Sequence, residues 1–219
     1  MNSSMIQLLV LAGVAIFLFI KLRSVLGTRD GFEKPPTPID DVRSRPKRDF
    51  EVIDGGPDRD IIDLVPDGSA SAIALAAMKK AEPGFAVGTF LEGARGAYEM
   101  ILMAFDRGEL ATIKPFLAPD VFETFSDAVA KREKDGLRIE STFIGLREMV
   151  LHEATFDTGS READISVRFL GETTSLVRNT AGEIIEGSPT AVKKQRDIWT
   201  FSRRMGADDP NWLLSATGD

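Results

Sequence analysis

An apolar run close to the N-terminus constrains this chain more than any other feature. From Met5 to Ile20, sixteen residues, the only strongly polar side chain is Gln7. A helix of this length spans about 24 Å. It reaches the ~30 Å of a bilayer core if it continues to Leu26, with Lys21 and Arg23 snorkelling to the interface. The run therefore predicts a membrane-spanning helix.

The flanks of the run favour an uncleaved anchor over a cleaved signal peptide. A signal peptide carries basic residues before its apolar stretch and small residues at a cleavage site after it. Here the basic residues follow the run, and no Ala-x-Ala site stands near its end. Basic residues mark the cytoplasmic side of a span. We therefore predict an anchor with a basic flank at residues 1–27, with the N-terminus outside and the C-terminal domain in the cytoplasm.

Residues 28–68 are predicted to form a flexible linker. They contain six of the 11 prolines, charges of both signs and no apolar periodicity. Such a segment buries too little apolar surface to offset its ordering entropy. A basic cluster in it can contact anionic lipid, although neighbouring acids favour a solvated linker. The cluster consists of Arg43, Arg45, Lys47 and Arg48.

The composition excludes several kinds of site. The chain has no cysteine and one histidine, His152. This excludes disulfides, thiol nucleophiles and thiolate metal sites, and it leaves His152 without a partner for a triad or a histidine metal centre. The net charge of −7 disfavours nucleic acid as a general partner. We therefore expect no cofactor, no metal and no DNA partner.

Apolar periodicity predicts one domain over residues 69–219, with helices first. Helices are predicted from Ser69 to Ala81, from Phe85 to Arg107, and from Pro119 to a stop at Gly136. The first of these has a weak apolar face, so it can pack on the domain, dock a partner or lie on lipid. Glycines inside the second helix predict the close approach of another element. These are Gly88, Gly93 and Gly96.

Strands follow the helices. Alternation of apolar and polar residues predicts strands within residues 142–157, 163–169, 198–202 and 211–217, with Trp212 and Leu214 sharing a face of the last one. Helices followed by an antiparallel meander indicate an α+β fold with the helices on one face. A curved sheet around a long helix leaves an apolar pocket.

Nine residues are candidates for lining this pocket or contacting a partner. Aromatic stripes at this spacing also form ordinary cores, so both interpretations stay open for each residue. The candidates are Phe90, Tyr98, Ile101, Phe122, Phe125, Phe169, Trp199, Phe201 and Trp212.

Five stretches of the domain carry a family resemblance. Beginning at residues 90, 117, 163, 197 and 210, they read FLEGARGAYEMI, LAPDVFETF, ADISVRF, DIWTFSR and PNWLLSAT. In this order, over residues 85–217, they resemble the family of the mitochondrial inner-membrane import-motor adaptor, whose bacterial members are called TimA. The Trp-Thr-Phe and Pro-Asn-Trp stretches are the most specific. The resemblance implies a Tim-like domain of the nuclear-transport-factor-two-like type, with a large apolar pocket.

The resemblance also implies non-enzymatic work at a membrane. Family members tether a translocation channel, a heat-shock-seventy chaperone and a passing polypeptide. This chain has a predicted span in place of the presequence and coiled region, and it lacks most of the segment that contacts the chaperone and channel in mitochondrial members. We therefore expect a bacterial inner-membrane adaptor that binds polypeptides or partner subunits during translocation, membrane insertion or complex assembly.

Two other functions stay open. Ribosome contact is one, because basic residues concentrate on the C-terminal strands, although lysine also guards exposed sheet edges. An isomerase-like or small-molecule-binding site is the other, since folds of this class pair a tyrosine with a carboxylate in an apolar pocket. Tyr98 is the only tyrosine, and alternation sets the candidate carboxylate, Asp164, on the outer face. The basic residues are Lys193, Lys194, Arg196, Arg203 and Arg204.

Overall fold

The computed structural model describes residues 58–218 of the 219-residue chain. The predicted anchor and the predicted linker up to residue 57 lie outside the described residues. Within residues 58–218, no helix is both long and apolar enough to cross a membrane.

Helices occupy the first half of the described chain. The α-helices are α1 (Arg59–Ile62), α2 (Ala70–Ala81), α3 (Val87–Arg107), α4 (Leu110–Ile113) and α5 (Pro119–Lys134), and a 3₁₀ helix at Lys114–Phe116 follows α4. The three longer helices confirm the predicted ones. The stop after α5 is also confirmed, because Gly136 adopts a left-handed φ of +70° that glycine tolerates without strain.

Residues 58–68 are folded, which corrects the unstructured linker predicted for them. Asp58 caps α1, and Ile61 and Val65 lie in the hydrophobic core. Asp60 accepts a hydrogen bond from the N–H of Val87 at 2.8 Å, which places a carboxylate at the N-terminus of α3. A helix of four residues is too short to show periodicity, and its partners are distant in sequence, so the composition alone indicated a linker.

The second half of the chain forms one antiparallel sheet. Its strands follow chain order: β1 (Arg138–Phe156), β2 (Glu162–Arg178), β3 (Ile184–Arg204) and β4 (Leu213–Gly218). Three register shifts between β1 and β2 bend the sheet. The curved α+β meander is therefore confirmed. One detail was wrong: Trp212 precedes β4 and does not share a strand face with Leu214.

The core lies between the helices and the concave face of the sheet. α2 buries Leu75 and Met78 and leaves Ile73 as an exposed large apolar residue, so its apolar face packs on the domain. The hydroxyl of Ser71 accepts a hydrogen bond from the Ala154 N–H of β1 at 3.1 Å. The inward face of β2 is fully buried, as alternation predicted. It consists of Ala163, Ile165, Val167 and Phe169.

Candidate partner-binding groove

An apolar groove lies between α3, from Thr89 to Ile101, and the loop that joins β3 to β4. It encloses about 560 Å³, within the range of ligand-binding sites. Aromatic side chains form its walls, and small residues form its helix side. The aromatic residues are Phe85, Phe90, Phe116, Phe201 and Trp212; the small ones include Thr89, Gly93, Gly96 and Ala97.

The aromatic wall is built around Trp212. Its ring centroid lies 4.8 Å from that of Phe90 and 5.9 Å from that of Phe85. Both phenylalanines are buried, whereas Trp212 is half-buried, so among these three rings the indole is the one that a ligand can reach. The side chain of Asp209 accepts from the Asn211 N–H at 2.9 Å and thereby fixes the loop that carries Trp212.

The glycines of α3 correct one prediction. A Cβ atom built at Gly93 or Gly96 would meet no atom within 4 Å, so no other element of residues 58–218 approaches there. Both residues line the groove instead. The missing side chains lower the helix wall and leave room for a ligand, at a cost of roughly 1 kcal/mol of helix stability each. Gly88 differs, because its Cβ would lie 3.3 Å from the carboxylate of Asp60.

An ion pair forms part of the groove lining. Arg203 Nη2 donates to both carboxylate oxygens of Glu82 at 2.7 Å, and the Gly206 N–H donates to the same carboxylate at 2.7 Å. Burial raises the pKa of Glu82, but these hydrogen bonds outweigh it and hold that pKa below its ordinary value. The Arg203 guanidinium also lies 5.9 Å from the Trp212 ring centroid. These two charges thus neutralise each other.

Among the lining residues, the one charge outside this ion pair is acidic. Glu92 lines the groove from α3 and is exposed. Asp208 and Asp209, also exposed, precede the lining residues Pro210 and Asn211. The groove therefore combines an apolar interior with one exposed lining acid, which favours a basic over an acidic ligand with apolar side chains.

Comparison with known proteins decides the family. Residues 71–219 match the model of the Tim44-like domain. The chain belongs to the Tim44-like family. A sequence comparison with curated proteins gives no match. One solved structure with a similar fold is the crystal structure of the intermembrane space region of chloroplast protein ARC6. The match has a TM-score of 0.41 and 12% sequence identity, and it covers 58% of this chain and 94% of that one. So distant a likeness carries no argument about function.

The nine candidate residues of this Tim44-like domain fall into three groups. Phe90, Ile101, Phe201 and Trp212 line the groove. Tyr98, Phe169 and Trp199 form a buried aromatic cluster, in which Tyr98 stacks on Phe169 at 4.4 Å. Phe122 and Phe125 lie on α5, where Phe125 packs against Phe105 at 4.6 Å. Reasoning from sequence missed Phe85, Phe116 and Met100 of the groove, although Met100 stands four residues after Gly96 and seven after Gly93.

Tyr98 has a carboxylate partner, and it is not Asp164. The Tyr98 hydroxyl donates to Asp197 Oδ2 at 2.6 Å, and Gln195 Nε2 donates to Asp197 Oδ1 at 3.0 Å. Asp164 lies on the outer face and accepts from the Ser202 hydroxyl. Burial raises the pKa of Tyr98 strongly, and the hydrogen bond and negative charge of Asp197 raise it further. The sequence carries a signal for this position: Asp197 stands two residues before Trp199 and four before Phe201, so strand alternation places it on the same inward face.

The Tyr98–Asp197 pair has the residue types of an isomerase-like site, but a ligand in the groove does not reach either residue. Tyr98 is fully buried and Asp197 is 9% exposed. Neither residue lines the groove. The Tyr98 hydroxyl keeps its proton at any ordinary pH and donates its hydrogen bond to Asp197. The pair therefore stabilises this Tim44-like domain rather than reaching a ligand.

The basic residues of the C-terminal strands do not form one surface. Arg203 is bound to Glu82 and its side chain is 9% exposed, whereas Lys193, Lys194 and Arg196 are exposed on another part of β3. Arg203 therefore does not add to a ribosome-binding patch.

Proposed function

We propose that this chain is a membrane-tethered adaptor whose groove binds apolar side chains of a polypeptide or partner subunit. Membership of the Tim44-like family supports the adaptor role. The predicted anchor supports tethering, and its basic flank supports a cytoplasmic position of the domain at a bacterial inner membrane. Translocation, membrane insertion and assembly of membrane complexes are the processes in which such an adaptor acts.

The observation that carries the proposal is the construction of the groove. Its aromatic walls and glycine-lined helix side offer apolar contact area and space. Its most buried charges, on Glu82 and Arg203, are bound to each other. A site of this kind recognises shape and apolar surface, which suits the binding of a peptide segment.

The charge of the groove mouth narrows the ligand class. Glu92 is the exposed charge among the lining residues, Asp208 and Asp209 directly precede the lining residues of the β3–β4 loop, and the whole chain carries a net charge of −7. An amphipathic segment with one apolar and one basic face fits this arrangement, since its apolar face enters the groove and its basic face meets the acidic rim. Presequence-like segments have this character.

A leucine at position 93 tests the proposal without unfolding the helix. Gly93→Leu projects a side chain into the groove, and it replaces a poor helix former by a good one, so stability stays level or rises by up to about 1 kcal/mol. The 219-residue chain in mild detergent is titrated with an amphipathic leucine–arginine peptide, and peptide anisotropy and the fluorescence of the two tryptophans, Trp199 and Trp212, are followed. We expect at least a tenfold loss of affinity, about 1.4 kcal/mol.

Arg95→Leu is the matched control. Arg95 is exposed on α3 outside the groove, so this variant adds the same side chain to the same helix without filling the site. We expect its affinity to stay within threefold of that of the unmodified chain, with any change a small rise, because the variant leaves the groove open and removes one positive charge that repels a basic peptide. Equal affinity of Gly93→Leu and the unmodified chain would contradict binding in the groove.

A further inference from the structure

The outer edge of β3 is open along part of its length. β4 pairs only with residues 198–202 of β3. Within residues 58–218, no strand pairs with the outer edge from Ile184 to Asp197. Between Val192 and Asp197 the pairing with β2 runs without a register shift, so the unpaired N–H and C=O groups stand at regular strand spacing. Such an edge is a template for an added strand.

The other edge of the sheet is protected in a different way. Along β1, three register shifts interrupt the regular spacing, and Ser71 of α2 occupies the Ala154 N–H. Bulges and covering elements are common protections of a sheet edge. Residues 192–197 of β3 have neither, and only the charge of their side chains restricts what can pair with them.

Those side chains have a definite pattern. Val192, Lys194 and Arg196 alternate on the outer face of the sheet, and all three are exposed. Within the described chain Lys194 and Arg196 form no ion pair, whereas Lys193 lies 3.9 Å from Glu186. A lysine at an edge deters basic strands, but it favours acidic ones, so the same charges that guard the edge make it selective.

We infer that the edge of β3 at residues 192–197 binds an acidic, extended segment of another polypeptide by strand addition. Acidic side chains of that segment lie opposite Lys194 and Arg196, and an aliphatic one lies opposite Val192. A second copy of this chain is a poor occupant, because its own basic edge would set like charges against each other. The edge is separate from the groove, to which β3 contributes Phe201 and Arg203.

The probe for this inference is an extended peptide that carries one valine and two glutamates at successive every-second positions, so that all three share one strand face, with threonine on the other face. Its counterpart is the same peptide with lysine in place of both glutamates. Binding to the full-length chain in mild detergent is measured by anisotropy, and amide hydrogen exchange reports the site. We expect saturable binding of the acidic peptide, at least tenfold weaker binding of the basic one, and at least fivefold slower exchange within residues 192–197.

Two double variants with the same change in net charge distinguish the edge from general electrostatics. Lys194→Glu with Arg196→Glu alters the edge, and Lys131→Glu with Lys134→Glu alters exposed residues of α5. We expect at least a tenfold loss for the first and less than a twofold loss for the second. An equal loss in both, or binding without slower exchange at residues 192–197, overturns the inference. Binding of an RNA hairpin at this edge in place of the acidic peptide overturns it as well.

Discussion

The only tyrosine of the chain gives a prediction that one titration can test. Tyr98 is fully buried and donates a 2.6 Å hydrogen bond to Asp197. Burial and the charge of Asp197 raise the pKa of Tyr98 far above the ordinary value of 10.0. In the unfolded chain the phenol titrates normally, near pH 10. The folded protein therefore holds a proton that the unfolded chain releases as the pH rises above 10.

The sign and size of the effect follow from this difference. Below pH 10 both states keep the proton, and the contribution of Tyr98 to stability is complete. Above pH 10 the unfolded state binds fewer protons than the folded state, so the free energy of unfolding falls by up to about 1.4 kcal/mol per pH unit. Tyr98→Phe removes this slope. It also leaves Asp197 Oδ2 without its donor, while Gln195 still donates to Oδ1, and this lowers stability by about 2 kcal/mol at neutral pH.

The assay combines spectroscopy with denaturation. Because the chain contains one tyrosine, the tyrosinate absorbance reports Tyr98 alone. Urea unfolding of the unmodified chain and of Tyr98→Phe is compared from pH 8 to pH 11, so that lysine titration cancels in the difference. Asp197→Asn is the control: it keeps an acceptor for the hydroxyl but removes the charge, and it brings the titration of Tyr98 nearer to its ordinary range.

The reasoning is refuted if tyrosinate absorbance rises near pH 10 while the protein stays folded. It is also refuted if the difference in stability between the unmodified chain and Tyr98→Phe does not shrink as the pH rises above 10.

Two further predictions concern the same domain. Gly171→Ala sets a methyl group 2.8 Å from the Tyr98 hydroxyl oxygen. Calorimetry or urea unfolding should therefore show that the free energy of unfolding falls by about 1–3 kcal/mol. An unchanged free energy of unfolding would mean that the Tyr98 ring moves aside freely. Glu82→Gln leaves Arg203 with a neutral partner and should cost about 2 kcal/mol at pH 7. Because the pKa of Glu82 is lowered in the folded protein, its contribution to stability is present above pH 4.5 and is lost as the pH falls below that value. The difference in the free energy of unfolding between the unmodified chain and Glu82→Gln should therefore shrink in acid. A difference that stays constant would exclude this ion-pair explanation.

The regular parts of the fold were predictable because their sequences carry a period. The inward face of β2, from Ala163 to Phe169, alternates without interruption, and α5 has a proline at its start and Gly136 just beyond its end. Residues 184–196 of β3 do not alternate, because all but Ser188 are exposed and no core face selects apolar residues. A two-sided exposed strand therefore leaves no periodic signal.

The site was predictable in its residue types but not in its partners. The sequence predicts Phe90 and Trp212 as aromatic candidates, but the contact of their rings at 4.8 Å depends on the course of the β3–β4 loop. Tyr98 and Asp197 are 99 residues apart, and only tertiary packing brings them together. The open space beside Gly93 is likewise a property of the assembled fold, since a helical glycine indicates close approach and empty space equally well.

The most direct test of the adaptor proposal is photo-cross-linking in living cells from a residue that lines the groove. A photoreactive amino acid at Met100, an exposed lining residue, is compared with one at Glu99, which is exposed outside the groove. We predict adducts between position 100 and polypeptides undergoing translocation, insertion or assembly at the membrane, their absence at position 99, and their loss when Gly93→Leu is added. Equal adducts at both positions, or adducts at position 100 that Gly93→Leu leaves unchanged, would contradict the proposal that the groove holds the partner.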